Sequence, residues 1–132
     1  MKPEYTWYAS LIKPSFAPPS WLFGPVWSVL YAIIAVTFIR VFYLAIKKAI
    51  PALVALPFIL NLAFNFSFTP LQFGLKNNYL AAIDILLTLG TLIWAMIAIW
   101  PHSRTLAYAQ IPYLLWVSFA TVIQLSITWL NR

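Results

Sequence analysis

Few side chains in this sequence could carry acid–base or metal chemistry. Its 132 residues include two acids, Glu4 and Asp84, one histidine, His102, and no cysteine, which excludes disulfides, cysteine-based metal sites and thiol catalysis. Asp84 lies within a long apolar stretch, where a carboxylate costs about 2.5–3.5 kcal/mol. We expect this carboxyl to be protonated, close to a membrane interface or paired with a tyrosine hydroxyl or asparagine amide, in a structural role. A lone histidine could ligate a haem iron, but no metal site is expected.

Aromatic rings are the more abundant functional groups, and four of them recur at helical spacing near the start of the chain. Residues 13–31 hold four of the ten prolines, and because proline lacks an amide proton and fixes φ, residues 13–18 cannot be the middle of a helix. Beyond them the sequence is almost unbroken apolar. On a helix there, Phe23, Trp27, Tyr31 and Phe38 would lie within an arc of about 80°. The stripe is either a packing face or one wall of a ligand site.

Polar groups recur at helical spacing in the three later apolar stretches. One face of each stretch combines hydrogen-bonding groups with aromatic or aliphatic side chains, so these faces are predicted to point into a bundle and away from lipid. The alternative is that side chains such as Asn61, Thr88 and Gln124 only hold helices together, at about 1 kcal/mol or less each. The residues of the three faces are Phe58, Asn61, Asn65, Phe68 and Gln72; Leu80, Asp84, Leu87, Thr88 and Thr91; and Tyr113, Trp116, Ala120 and Gln124.

The composition is that of an integral membrane protein. Hydrophobic residues make up 64% of the chain and charged residues 8%, whereas about a quarter of a soluble domain is charged. A span needs roughly 20 apolar residues, and four stretches qualify, at about 19–46, 51–72, 78–100 and 103–130. Because short connections make consecutive helices antiparallel neighbours, the predicted fold is an all-α antiparallel bundle of four transmembrane helices, a single domain over residues 1–132. No cleavable signal peptide is predicted.

Several separated motifs resemble the translocator protein family, also called the tryptophan-rich sensory proteins (TspO/MBR). The motifs follow in the family's order and extend over nearly the whole chain. They are Trp7-Tyr8-Ala9, Lys13-Pro14-Ser15, Pro18-Pro19-Ser20-Trp21, Phe23-Gly24-Pro25-Val26-Trp27, Leu30-Tyr31, Asn65 to Gly74, Asp84, and Pro112-Tyr113-Leu114-Leu115-Trp116.

The resemblance implies a receptor or sensor for flat hydrophobic ligands, because relatives bind tetrapyrroles such as protoporphyrin and haem, sterols and synthetic drugs. In bacterial relatives the tryptophans matching Trp27 and Trp116 are linked to light-dependent breakdown of protoporphyrin. This chemistry would be the pigment's, with the protein positioning it, so neither a conventional enzyme nor an obligatory cofactor is expected. Carried over by position, the ligand pocket comprises Phe23, Trp27, Tyr31, Asn65, Phe68, Leu80, Ile83, Leu87, Trp116, Ala120 and Ile123.

The sequence also departs from the family pattern. Family members usually have five spans, but only six residues precede Trp7, so the family's first helix is expected to be missing, either in a shorter relative or through a lost start. The cavity would then be open on one side, filled by lipid or closed by a partner subunit. Phenylalanine stands in place of family tryptophans after Lys-Pro-Ser and after the asparagine of the second stretch, at Phe16, Phe66 and Phe68. Leu125 breaks the sterol-recognition pattern of animal members, which favours tetrapyrroles over sterols.

Two other classes of function remain alternatives. One is a small scaffold or helper protein without tight porphyrin binding, and the other is a four-helix transporter, which would need a proton-exchanging acid at the midplane. The net charge of +6 does not indicate nucleic acid, because the basic residues lie at helix ends, where headgroups or porphyrin propionates are natural counter-charges. A homodimer in a bacterial cytoplasmic membrane is a family expectation, and small residues such as Ala81 and Ala95 would permit close helix packing. Loop charges do not decide the orientation.

Overall fold

Five helices account for nearly all of the chain that the structure describes. The computed structural model describes residues 22–69 and 77–131, except for the side chains of Phe23 and Thr69. Within these ranges all regular secondary structure is helical, which confirms the predicted all-α class. The helices are α1 (Phe23–Ile46), α2 (Ala52–Thr69), α3 (Asn78–Ile99), α4 (Arg104–Ala109) and α5 (Ile111–Leu130).

Three segments are long and apolar enough to cross a bilayer. They are Gly24–Ile46, Asn78–Ile99 and Arg104–Leu130, the last comprising α4 and α5 together. The remaining predicted span, 51–72, corresponds to α2, which has 18 residues. This helix is also apolar, but its apolar part, Ala52–Phe68, is shorter than the other three segments. The predicted start near residue 19 and the predicted end near residue 72 lie outside the described residues. The chain is an integral, multi-pass membrane protein.

Side-chain caps and a tight turn explain where the helices begin and end. The Asn77 side chain accepts a hydrogen bond from the Leu80 amide at 3.0 Å, and Ser103 Oγ accepts one from the Leu106 amide at 3.2 Å, so α3 and α4 have polar N-caps. After α1, Lys48 adopts a positive φ of 60°, a left-handed conformation that reverses the chain. This short turn returns the chain from α1 into α2.

The last predicted span is not one continuous helix. The structure divides residues 103–130 at Gln110, which separates α4 from α5, and Pro112 lies in the first turn of α5. Proline has no amide proton, and its ring clashes with the carbonyl four residues earlier. A new helix therefore begins at Ile111, because proline is compatible with a first turn but not with the interior of a straight helix.

The helices pack in an order that leaves α3 at the centre of the contacts. Helix α2 packs along α3, and α3 packs along α5, while α1 contacts α2 and α4. Ala81 and Ala95 of α3 are fully buried within this single bundle, so these small residues bring neighbouring helices of the same chain close together. They are therefore not available to a dimer interface.

The predicted aromatic stripe of α1 divides between the core and a second group of rings. Phe38 packs edge-on against Phe58 of α2, with centroids 4.8 Å apart, and both side chains are buried in the main hydrophobic cluster. Phe38 and Phe58 therefore belong to the packing face, one of the two alternatives for the stripe. Trp27 and Tyr31 form the second group, in which their two rings contact each other.

A buried polar contact ties the helix break to α1. Gln110 is fully buried, and its Nε2 donates to Thr37 Oγ1 at 2.8 Å and to the Leu106 carbonyl at 3.3 Å. Thr37 in turn donates to the Ile33 carbonyl at 2.7 Å. Since unpaired polar groups are costly inside a membrane protein, this contact fixes where α1 meets the α4–α5 junction.

We expect Thr37→Val to lower the free energy of unfolding by about 1 kcal/mol, because the isosteric valine leaves the Gln110 amide without its best partner. The measurement is the thermal midpoint in detergent. The exposed Thr105 of α4 provides a matched control, and Thr105→Val should leave the midpoint unchanged. Equal midpoints for wild type and Thr37→Val would show that the contact contributes nothing.

A candidate ligand site with aromatic walls

Rings from three helices meet near the first third of α1. The Trp27 and Tyr31 rings, one turn apart, have centroids 5.3 Å apart. Trp27 also meets Tyr113 of α5 edge-on at 6.5 Å, and Tyr31 meets Phe66 of α2 at 6.1 Å. These separations are typical of aromatic pairs that attract each other. We call Trp27, Tyr31 and Phe66 the aromatic wall.

A chain of hydrogen bonds lies behind the aromatic wall. The Tyr31 hydroxyl donates to Asn65 Oδ1 at 3.2 Å, Asn65 Nδ2 donates to the Tyr113 hydroxyl at 2.6 Å, and that hydroxyl donates to Asn61 Oδ1 at 2.9 Å. Tyr31 donates first, and Asn65 and Tyr113 each accept from one neighbour and donate to the next, so all these donors point the same way. We call Tyr31, Asn65, Tyr113 and Asn61 the asparagine–tyrosine network.

The network continues from α2 into α3. Asn61 Nδ2 donates to the Thr88 carbonyl at 2.9 Å and to Thr91 Oγ1 at 3.2 Å. Asn61 and Tyr113 are fully buried, and Asn65 is nearly so. Because these groups have neither water nor lipid as a substitute partner, the network holds the backbones of α1, α2, α3 and α5 in one arrangement.

The front of the aromatic wall is open. Tyr31 is 40% exposed and Phe66 is 60% exposed, while Trp27 is half-buried against the core. Ring surface is therefore available for stacking, although Tyr31 is fixed from behind by Asn65. Phe66 is missing from the predicted pocket, and the available signal was its position next to Asn65, where the family has a tryptophan.

The remaining predicted pocket residues have different environments. Trp116 is half-buried and packs edge-on against Phe119 at 5.9 Å; Phe68 and Ala120 are also half-buried. Ile123 is buried, whereas Leu80, Ile83 and Leu87 are exposed on the outer side of α3. The side chain of Phe23 lies outside the described residues. The structure thus brings Trp27, Tyr31 and Asn65 together, and the role of the others in ligand binding stays a prediction.

Among the described residues, no tyrosine or asparagine side chain bonds to Asp84 Oδ2, although such a partner was one of the alternatives for this carboxyl. Its side chain is buried, and within residues 22–69 and 77–131 its Oδ2 has no hydrogen-bond partner. The nearby Tyr113, Asn61 and Asn65 side chains bond to one another instead. Thr88 Oγ1 donates to the Asp84 backbone carbonyl at 2.9 Å, so this threonine bonds to the helix backbone and not to the Asp84 carboxyl.

Gln124 holds two helices together, which was one of the two roles that the sequence allowed for it. Its Nε2 donates to Thr128 Oγ1 at 3.2 Å and to the Asn78 carbonyl at 3.4 Å, which ties α5 to the start of α3. Among the described residues no three potential metal-ligating side chains lie together, and His102 is exposed in the turn before α4. The described side chains of this region thus present partly exposed aromatic rings backed by fixed polar groups.

We expect Tyr113→Phe to destabilise the fold by about 1–2 kcal/mol, because it removes the acceptor of Asn65 and the donor to Asn61 while keeping the ring. The thermal midpoint in detergent measures the loss. Tyr79 is exposed at the start of α3, so Tyr79→Phe is a matched control that should have no effect. If the two variants had equal midpoints, the network would not hold the helices.

Comparison with known proteins agrees with this architecture. A sequence profile described as the TspO/MBR family matches residues 1–130. The tryptophan-rich protein TspO of Archaeoglobus fulgidus is 36% identical over 128 residues, covering 96% of this chain and 80% of that protein. The protein of the same name from Bacillus cereus is 36% identical, with coverages of 97% and 82%. The human translocator protein is 34% identical over 118 residues, with coverages of 89% and 70%.

None of these names is that of an enzyme, and the matches support a sensor or receptor role in the membrane. The chain belongs to the TspO/MBR family.

Proposed function

We propose that the protein is a membrane receptor for tetrapyrroles such as protoporphyrin or haem, which bind against the aromatic wall. The observation that carries the proposal is the pairing of exposed rings, Tyr31 and Phe66, with a buried network that fixes Tyr31 through Asn65. Ligand sites in proteins combine apolar and aromatic surface with a few fixed polar groups in this way.

Stacking explains why a flat, conjugated ligand is favoured over a flexible one. Each favourable ring pair contributes about 0.5–1.5 kcal/mol beyond its buried area, and the Trp27 and Phe66 rings flank Tyr31 at 5.3 and 6.1 Å. A rigid macrocycle can contact neighbouring rings at once without losing conformational entropy. Because the network already orients Tyr31, little further ordering of the protein is needed on binding.

The position of Trp27 also suits the photochemistry that the family resemblance implies. A bound porphyrin would supply light-driven oxidation, and the protein would hold an electron-rich indole beside it. Trp27 lies within ring contact of both Tyr31 and Tyr113, so its orientation is set by two phenols. Trp116 is the second indole proposed to face the pigment. A homodimer remains an expectation from the resemblance.

We expect saturable, micromolar quenching of tryptophan fluorescence when protoporphyrin IX is titrated into the detergent-purified protein. Trp27→Phe should weaken binding about fivefold, because phenylalanine keeps a ring but loses part of the stacking area, a change of about 1 kcal/mol. Trp116→Phe should weaken it in the same direction. Tyr31→Leu, which removes a central ring of the wall, should have the largest effect.

Trp94 provides the matched control for these variants. It is exposed on α3, so Trp94→Phe removes an indole without touching the aromatic wall and should leave the dissociation constant unchanged. Quenching that is linear and equal in all variants would mean that porphyrin only partitions into the micelle. The alternatives, a scaffold protein or a four-helix transporter, would then be the better explanations.

A further inference from the structure

One end of the bundle has a strong excess of positive charge. Arg40 lies in the last two turns of α1, Lys47 and Lys48 follow that helix, and Arg104 begins α4. These residues lie at the same end because α1 and α3 are antiparallel to the helices that follow them. In the described ranges the one carboxylate side chain is Asp84, in the second turn of α3, toward the opposite end. The positive charges at this end therefore have no described acidic partner.

Two of these cations share a single aromatic ring. The Arg40 guanidinium carbon lies 5.5 Å from the centroid of the Tyr43 ring, and Lys47 Nζ lies 5.7 Å from the same centroid. The two charges are therefore no more than about 11 Å apart, and the screening length of about 8 Å in physiological salt weakens their repulsion without abolishing it. Like charges at this separation repel, and an anion placed between them would relieve the repulsion. The ring holds both cations near the depth of a membrane interface, where tyrosine is enriched.

The helix surface that continues from this pair into the membrane is apolar and uncovered. Val36 is 72% exposed and Ile39 is 65% exposed. Residues 36, 40, 43 and 47 follow each other at steps of three and four, so they lie along one side of α1. This side thus presents two cations at the membrane surface and a continuous apolar strip below them.

We propose that the Arg40–Tyr43–Lys47 side of α1 is a binding site for an anionic phospholipid. The phosphate lies between the guanidinium, which can donate two parallel hydrogen bonds, and the ammonium, which acts as a compact point charge. The acyl chain lies along Val36 and Ile39. An anionic headgroup is favoured over a zwitterionic one because the described part of this end has no carboxylate to receive a choline or ethanolamine group.

A second cation–π pair at the same end supplies the internal control. Arg104 lies 5.1 Å from the Trp100 ring centroid, but there the ring holds a single cation. Arg104→Gln/Lys48→Gln therefore removes two charges from this end and leaves the Tyr43 pair intact. Arg40→Gln/Lys47→Gln removes the same net charge from the proposed site.

The test is native mass spectrometry of the full chain in detergent, with phosphatidylglycerol and phosphatidylcholine of identical acyl chains in competition. Wild type should retain phosphatidylglycerol selectively. At about fivefold for each basic residue, Arg40→Gln/Lys47→Gln should bind it about 30-fold more weakly, while Arg104→Gln/Lys48→Gln should lose less than about fivefold. Tyr43→Leu keeps both charges and the apolar surface, and should lose affinity several-fold because the cations are no longer held together.

Several results would overturn the proposal. They are equal retention of the two lipids by wild type, equal losses in the two double variants, and undiminished selectivity in Tyr43→Leu. Millimolar inorganic phosphate should not displace the lipid; complete displacement would identify a site for a free anion instead. Arg40 and Lys47 are exposed, so their variants should have the thermal midpoint of wild type. The competition between the two lipids on wild-type protein tests the proposal without any variant.

Discussion

The arrangement of the bundle depends on the need to satisfy polar groups where neither water nor lipid can do so. The Tyr113 hydroxyl accepts from Asn65 and donates to Asn61, Asn65 accepts from Tyr31 of α1, and Asn61 reaches the backbone of α3. One connected set of bonds therefore specifies the relative positions of all four long helices. Apolar packing alone gives little preference among helix rotations in a membrane, because lipid tails are as apolar as leucine side chains. The network supplies this preference.

The same atoms also determine the candidate site. Asn65 bonds on one side to a fully buried hydroxyl and on the other to Tyr31, whose ring is partly exposed. The orientation of the aromatic wall is thus inherited from the core, and a ligand would meet rings that are already ordered. A consequence is that changes in Asn65 or Tyr113 affect folding and binding together. Changes in exposed rings such as Phe66 should affect binding without affecting folding, because they leave the network intact.

The sequence predicted the all-α class and the long apolar helices, because apolar length and helical periodicity are local properties. Leu80 and Leu87, which were placed on an inward face of α3, are exposed, and Gln72 lies outside the described residues. It did not predict which face meets which neighbour. Phe38 and Tyr31 belong to one stripe on α1 and both contact α2, yet Phe38 is buried against Phe58 whereas Tyr31 is 40% exposed. Helical periodicity does not contain this difference in depth. A tyrosine or asparagine partner was one of three alternatives for Asp84, but the Tyr113, Asn61 and Asn65 side chains bond to one another across helices, a choice that depends on tertiary distances. Residues 103–130 were predicted as one span, but the structure divides them at Gln110, because Pro112 is compatible with the first turn of a new helix and not with the interior of a straight one.

Helical geometry separates the ligand site from the proposed lipid site. Arg40 is nine residues after Tyr31, which places it about 13 Å further along the axis and, at 3.6 residues per turn, on the opposite side of α1. Trp27 lies on the Tyr31 side, one turn away. Arg40 therefore cannot neutralise the propionates of a tetrapyrrole stacked on the aromatic wall, and its counter-charge must come from the outer surface of the bundle. At that surface the abundant anions are lipid headgroups. Tyr31 and Arg40 are thus half a turn out of phase, so the proposed ligand site and the proposed lipid site occupy opposite sides of one helix.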